Sequence, residues 1–263
     1  MTKSVVLFIV ATSAVLINGL ISDIFKTLGE YTKKHTKVEE QSTSFRQIFL
    51  MEFTNMGLIQ LLSSLSLFKG LNEALLGFSK NLIKKSHDSF NCPWYMDTGK
   101  SICFFIFMSA FLSNAADLRL FVISTVKRFY DRGYKVNLKK DPEDEDDDEP
   151  NTKKKIQKEL ENLYMGKIFA GEKAYSRMMS TMFVILLYSS GMPILYLTGV
   201  IFYTVTYYVH KMLIIRFYQK SRTLTRTIPL FSMKFLSIGI IVHILGACFM
   251  LTNPDPFDTK EPL

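Results

Sequence analysis

Long uncharged apolar runs, rather than an alternating or amphipathic rhythm, organise this chain. Ser4 to Ser22 is nineteen residues without a charge, Met178 to Val209 is thirty-two, and Phe235 to Pro254 is twenty. Each matches or exceeds the roughly 20 residues that carry an α-helix across a bilayer core. With two further stretches, the pattern predicts hydrophobic segments at about 4–25, 46–68, 101–124, 178–215 and 229–251. The helices of a soluble core are shorter or carry a polar face, so the expected class is an all-α, polytopic transmembrane bundle.

The fourth stretch is too long for one crossing. As a single helix its uncharged part would extend about 48 Å against a hydrocarbon core of about 30 Å. Gly191 and Pro193 sit in its middle, where such residues form a turn or, alternatively, a gating hinge. Flanking charge favours the turn. The loop before it carries Lys127, Arg128, Arg132, Lys135, Lys173 and Arg177, and the segment after it carries Arg216, Lys220, Arg222 and Arg226. The positive-inside rule puts both on the cytosolic side, which requires an even number of crossings between them. The stretch therefore reads as a short helical hairpin around Gly191/Pro193, giving about six spans with both termini outside.

The resulting organisation is three spans with their loops over 1–123, a charged cytosolic loop over 124–177, three spans over 178–251, and a tail over 252–263. Lys3 alone precedes the first run, whereas Lys26, Lys33, Lys34 and Lys37 follow it, which predicts a retained span rather than a cleaved leader. In the loop, Asp141–Glu149 is acidic at every position except Pro142. It reads as a solvated linker of self-repelling charge, with a weak calcium site as the alternative, since it lacks the spaced ligands and central glycine of an EF-hand. Beyond it, Ile156, Leu160, Leu163 and Tyr164 recur at helical spacing beside several lysines, which predicts an amphipathic helix on the inner leaflet.

Composition and motifs narrow the function. The net charge of +8 lies beside the apolar runs and forms no basic stripe with interleaved aromatics, so no nucleic acid is expected as a partner. Cys92, Cys103 and Cys248 lack metal-ligand spacing, and no phosphate-binding, zinc-protease or nucleophile-elbow motif occurs. Neither an enzyme nor a metal or cofactor site is expected.

What remains are polar groups inside apolar spans, which need a partner or a water-lined path. At 100° per residue, Glu52, Asn55, Ser63 and Ser66 share one face of the second span. In the third, Asn114 and Asp117 are three apart and share a face, while Arg119 is placed to snorkel to the headgroups. These six residues are the candidate pore-lining groups. For the second-span stripe, hydrogen bonding between helices of a bundle is the alternative reading, and Asp117, like Arg119, could snorkel.

Three segments carry a resemblance. They are "KKHTKVEEQSTSFRQIFLMEFTNMGLIQLL", "CPWYMDTGKSICFFIFMSAFLSNAADLRLFVIS", and, after a charged loop, "AYSRMMSTMFVILLYSSGMPILYLTGVIFYTVTYYVHKMLIIRFYQ". In this order they resemble the OSCA-type, calcium-permeable stress-gated cation channels, whose superfamily includes the anoctamins and the TMC proteins. The most specific piece, Tyr188–Tyr196 leading to Arg216–Tyr218, looks like that family's paired spans with a proline between them and an aromatic-basic exit. The resemblance covers nearly the whole chain and the later half of a family member's membrane region. It implies a channel-like protein of the lipid bilayer that permeates cations, alone, as a homo-oligomer or in a larger membrane complex. Its pore would follow the second, third and fourth spans. A non-conducting structural or accessory subunit and a lipid scramblase are the alternatives.

Overall fold

The computed structural model describes residues 2–31, 34–64, 90–131, 156–219 and 226–252. Among them the secondary structure is helical, with one isolated bridge between Ile168 and Gln219. The helices are α1 (Thr2–Tyr31), α2 (Lys37–Phe53), α3 (Ile59–Ser64), α4 (Cys92–Trp94), α5 (Lys100–Asp131), α6 (Gln157–Tyr164), α7 (Gly171–Tyr188), α8 (Ile194–Arg216) and α9 (Thr227–Leu251). π-Turns at Thr54–Leu58 and Tyr95–Gly99 join α2 to α3 and α4 to α5.

Local chemistry sets several of these boundaries. Thr36 caps α2 by accepting from the Glu39 N–H at 3.2 Å, and Glu39 and Glu40 in the first turn suit the positive end of the helix. Asn91 does the same for α4 through the Trp94 N–H. The expected break in the long apolar stretch is present. Helix α7 ends at Tyr188, whose carbonyl accepts from the Gly191 and Met192 N–H groups, and α8 begins just after Pro193. There the missing proline N–H costs nothing, because the first turn of a helix has no use for it. Beyond the turn α8 runs back along α7: Tyr203 donates to the Met178 carbonyl at 2.8 Å, and Gly199 lies against Ile185.

Among the described residues two helices are long and apolar enough to cross a membrane: Cys92–Asp131, with mean hydropathy 1.6, and Thr227–Leu251, with mean hydropathy 2.0. Their neighbours are diluted in identifiable ways. Helix α7 carries Glu172, Lys173 and Arg177, and α8 carries Tyr196, Tyr203, Tyr207, Tyr208, His210 and Lys211. Large apolar side chains nevertheless face outward on α1 (Leu16, Ile17, Leu20), on α8 (Leu197, Val200) and on α9 (Ile240, Ile241, Ile244, Leu245). An exposed apolar surface of this extent is foreign to a water-soluble monomer.

The chain divides into two compact units. The first comprises Met1–Ser113, Ala170–Val205 and Thr223–Leu263, the second Asn114–Phe169 and Thr206–Arg222. In the first unit α7 packs against both α2 and α9. An aromatic cluster fills the joint: Phe49 meets Phe183 edge-on at 5.0 Å and Phe235 at 5.4 Å, and Phe53 meets Phe183 at 5.6 Å. A second cluster surrounds the fully buried Trp94, Tyr188, Ile106, Leu195 and Phe202. The Tyr188 hydroxyl donates to the Gly57 carbonyl at 2.7 Å, inside the first π-turn. Helix α9 reaches the end of α7 closely. His243 Nδ1 donates to the Leu186 carbonyl at 2.7 Å, satisfying one of the acceptors a helix end leaves open. Gly246 rests against the Leu187 carbonyl, where any Cβ would collide with backbone.

In the second unit the short α6 forms as the spacing of Leu160, Leu163 and Tyr164 predicts, with Ile156 at its N-cap. The Arg128 guanidinium donates to the carbonyls of Leu163 (3.2 Å) and Tyr164 (3.1 Å), capping the C-terminal end of α6. The segment that follows is pinned by Gln219, whose N–H donates to the Lys167 carbonyl at 3.0 Å, and by Gly166, which lies directly against the Phe217 carbonyl. The acidic run Asp141–Glu149 lies outside the described residues.

The close approach of α9 to α7 gives a first test. Gly246→Ala is expected to cost about 1–3 kcal/mol, the range for forcing extra volume into a packed contact. Gly19→Ala, where a Cβ meets no atom within 4 Å, should be neutral or slightly stabilising. Thermal unfolding of the purified proteins in one detergent compares them.

Candidate functional site: a buried polar seam

The polar groups of α1 and α2 face each other within the first unit. On α1, Asn18 and Ser22 are four residues apart and so share a face. Opposite them stand Glu52 on α2 and Asn55 in the π-turn. Asn55 Nδ2 donates to Asn18 Oδ1. Ser22 Oγ lies 2.9 Å from Glu52 Oε1 and 2.8 Å from the carbonyl oxygen of Asn18. Glu52 is 2% exposed and Asn18 6%. Yet among the described residues Glu52 Oε2 and Asn18 Nδ2 have no partner within hydrogen-bond distance, although Ser180 acts on the Glu52 carboxyl. Such groups are expensive to bury without a partner.

The seam continues into a cavity of about 60 Å³ whose polar lining is Asn18, Asn55, Gln60 and Ser101, with Met56 and Ile106 among its apolar walls. That is room for a small group of waters. On the Glu52 side, Arg177 and Lys173 of α7 bring positive charge to bear on the carboxyl. Lys173 itself pairs with Asp23 at 2.5 Å, and Lys26 pairs with Glu172 at 3.4 Å. Two ion pairs therefore tie α1 to the start of α7 beside the seam.

The π-turn changes the predicted stripe. A π-turn adds one residue to a helical turn and offsets everything downstream by about 100°. Glu52 and Asn55 face α1 as a pair, but the regular step that aligned Ser63 and Ser66 with them is interrupted at Thr54–Leu58. The Ser63 side chain and all of Ser66 lie outside the described residues.

Asn114 and Asp117 belong to the second unit. Asn114 is buried, and its Nδ2 donates to Thr206 Oγ1 at 3.1 Å. Asp117 accepts from the Tyr218 hydroxyl; burial first, then the neighbouring Asp117 charge and this hydrogen bond, push the Tyr218 phenol up, so it remains a donor. Asn114 thus bonds to α8 and Asp117 to its exit, and Arg119 is exposed. Gly191 and Pro193 lie in the α7–α8 turn.

Sequence reasoning missed Asn18, Ser22, Thr206 and Tyr218. Asn18 and Ser22 are two polar positions four apart near the end of an uncharged run that also holds Thr12 and Ser13, and that spacing was the available signal. No family model, curated protein or solved structure matches the chain.

A double-mutant cycle on Asn114→Ala and Thr206→Ala tests the interhelical bond in the second unit. The expected coupling is about 0.6 kcal/mol and at most about 1.7 kcal/mol, the range for side-chain hydrogen bonds between membrane helices. Denaturation midpoints of the four proteins measure it.

Proposed function

We propose that the chain is an integral membrane protein crossing the bilayer six times, and that it permeates cations along the polar seam between α1 and α2. The crossings are α1, α2 with α3, α4 with α5, α7, α8 and α9. Support for six comes from the turn at 189–193 and from the basic residues on both flanks of the α7–α8 pair. Helix α7, at 18 residues, spans about 27 Å, close to the hydrocarbon thickness.

The observation that carries the permeation reading is the Glu52 carboxyl, nearly fully buried with one oxygen unpartnered. A carboxyl in a low-dielectric path acts strongly on a passing cation. The π-turn at Thr54–Leu58 adds to this, because such turns frequently occur at functional sites. The resemblance to OSCA-type channels favours the same class.

Two experiments test the proposal. In a background with Cys92, Cys103 and Cys248 replaced, single cysteines at Glu145 and Ser221 should be labelled by an impermeant thiol reagent from the same side of the membrane. Opposite sides would leave five spans. In liposomes, Glu52→Gln should reduce cation flux several-fold, whereas Lys234→Gln, whose side chain is exposed near the start of α9, should leave it nearly unchanged. Equal effects would make Glu52 a bundle contact. A parent protein without flux would favour the accessory-subunit reading.

A further inference from the structure

Resting on the permeation reading above, we infer that the cation handled at the α1–α2 seam is the proton, taken up and released by the Glu52 carboxyl. Hydrogen-bond geometry leads there. The Ser22 hydroxyl stands within bonding distance of two oxygens, the Asn18 carbonyl at 2.8 Å and Glu52 Oε1 at 2.9 Å, but it has a single hydrogen to give. Both contacts are satisfied together when Glu52 is protonated: the carboxylic acid donates to Ser22 Oγ, and Ser22 donates onward to the Asn18 carbonyl. When Glu52 is ionised, Ser22 turns its hydrogen to the carboxylate, and the Asn18 carbonyl loses that donor.

The ionised form has its own support. Arg177 and Lys173 of α7 bring positive charge to bear on the carboxyl, and Ser180 adds a hydrogen bond to it; on α1, Asp23 is engaged with Lys173, and Lys26 with Glu172. A proton carrier needs both states to be accommodated, and this arrangement accommodates each by a different set of groups. Only an O–H bond is made or broken, with water as the source and acceptor of the proton, and no other reactant is required.

The ligand set argues against a metal ion. Glu52 is the seam's one carboxylate, and among the described residues no three His, Cys, Asp or Glu side chains converge. Divalent ions of the calcium type take six to eight oxygens, several of them charged. Neutral donors and acceptors line the adjoining cavity at Asn18, Asn55, Gln60 and Ser101, and these suit water that relays protons.

The test uses the full chain in liposomes containing a pH-sensitive dye, with a potassium gradient and valinomycin to drive proton movement. Parallel vesicles report sodium, potassium and calcium. The expected result is proton flux in the parent, reduced at least tenfold in Glu52→Gln, largely retained in Glu52→Asp, and less impaired in Ser22→Ala. Proton flux that survives Glu52→Gln overturns the inference. Metal-cation flux without proton flux also overturns it but leaves the permeation reading standing, and no flux of any ion overturns both. Should Glu52→Gln fail to fold, infrared difference spectra of the parent between acid and alkaline pH decide. A titrating buried-carboxyl stretch that shifts in Ser22→Ala supports the inference, and a spectrum unchanged by Ser22→Ala overturns it.

Discussion

Contact of α7 with both α2 and α9 is the constraint from which the rest of the first unit follows. Where apolar surface is also plentiful outside, burial alone gives little reason for one helix pair over another, so shape and hydrogen bonds must choose. Here the choosing contacts are specific. Phe49, Phe53 and Phe183 interlock edge to face, Tyr188 donates into the π-turn at Gly57, and Ser180 donates to the Phe49 carbonyl at 3.2 Å. Each bond from α7 reaches backbone on the partner helix. The register between α2 and α7 is thus held by main-chain acceptors that mutation of neighbouring side chains leaves in place.

The π-turn links this packing to the seam. By widening one helical turn, it offers the Gly57 carbonyl to Tyr188 on α7 while Asn55, within the same five residues, faces Asn18 on α1. A regular α-helix would advance only 100° per residue and would keep its carbonyls in its own ladder. The local irregularity therefore serves two neighbours at once, and it lies one residue beyond the turn that carries Glu52. Disturbing the Tyr188 contact would be felt at the carboxyl through the backbone of α2, without any direct contact between the two side chains.

Much of the helical plan was legible in the chain. Charge-free runs marked the apolar helices, and Gly191 with Pro193 marked the break, because these rest on local rules: length, hydropathy and the missing proline N–H. Helix ends were less legible. Helix α5 continues to Asp131, beyond the apolar stretch, since Lys127 and Arg128 are good helix formers that need no burial. The seam was half legible. A helical wheel reveals that Glu52 and Asn55 share a face, but it contains no information about which helix stands opposite, so Asn18 and Ser22 could not be inferred. Nor does it foresee a π-turn, which interrupts the regular step between Asn55 and the residues beyond Leu58. Asn114 and Asp117 share a face as expected but bond separately, one to Thr206 and the other to Tyr218.

The two ion pairs beside the seam differ in what they can hold. Asp23 is well exposed in its pair with Lys173, and such pairs are worth about 0–1 kcal/mol because water screens them. Glu172 is buried, with Oε2 unpartnered, and depends on Lys26 for its main compensation. A buried carboxylate stripped of its counter-charge costs far more than the intact pair contributes, about 3–5 kcal/mol by comparison with other buried pairs. The Lys26–Glu172 pair therefore acts less as glue than as a restriction on sliding: α1 cannot shift along α7 without leaving Glu172 uncompensated. That restriction keeps Ser22 and Asn18 opposite Glu52 and Asn55. The charges next to the seam thus set the position of its neutral groups as well as the electrostatics of its one acid.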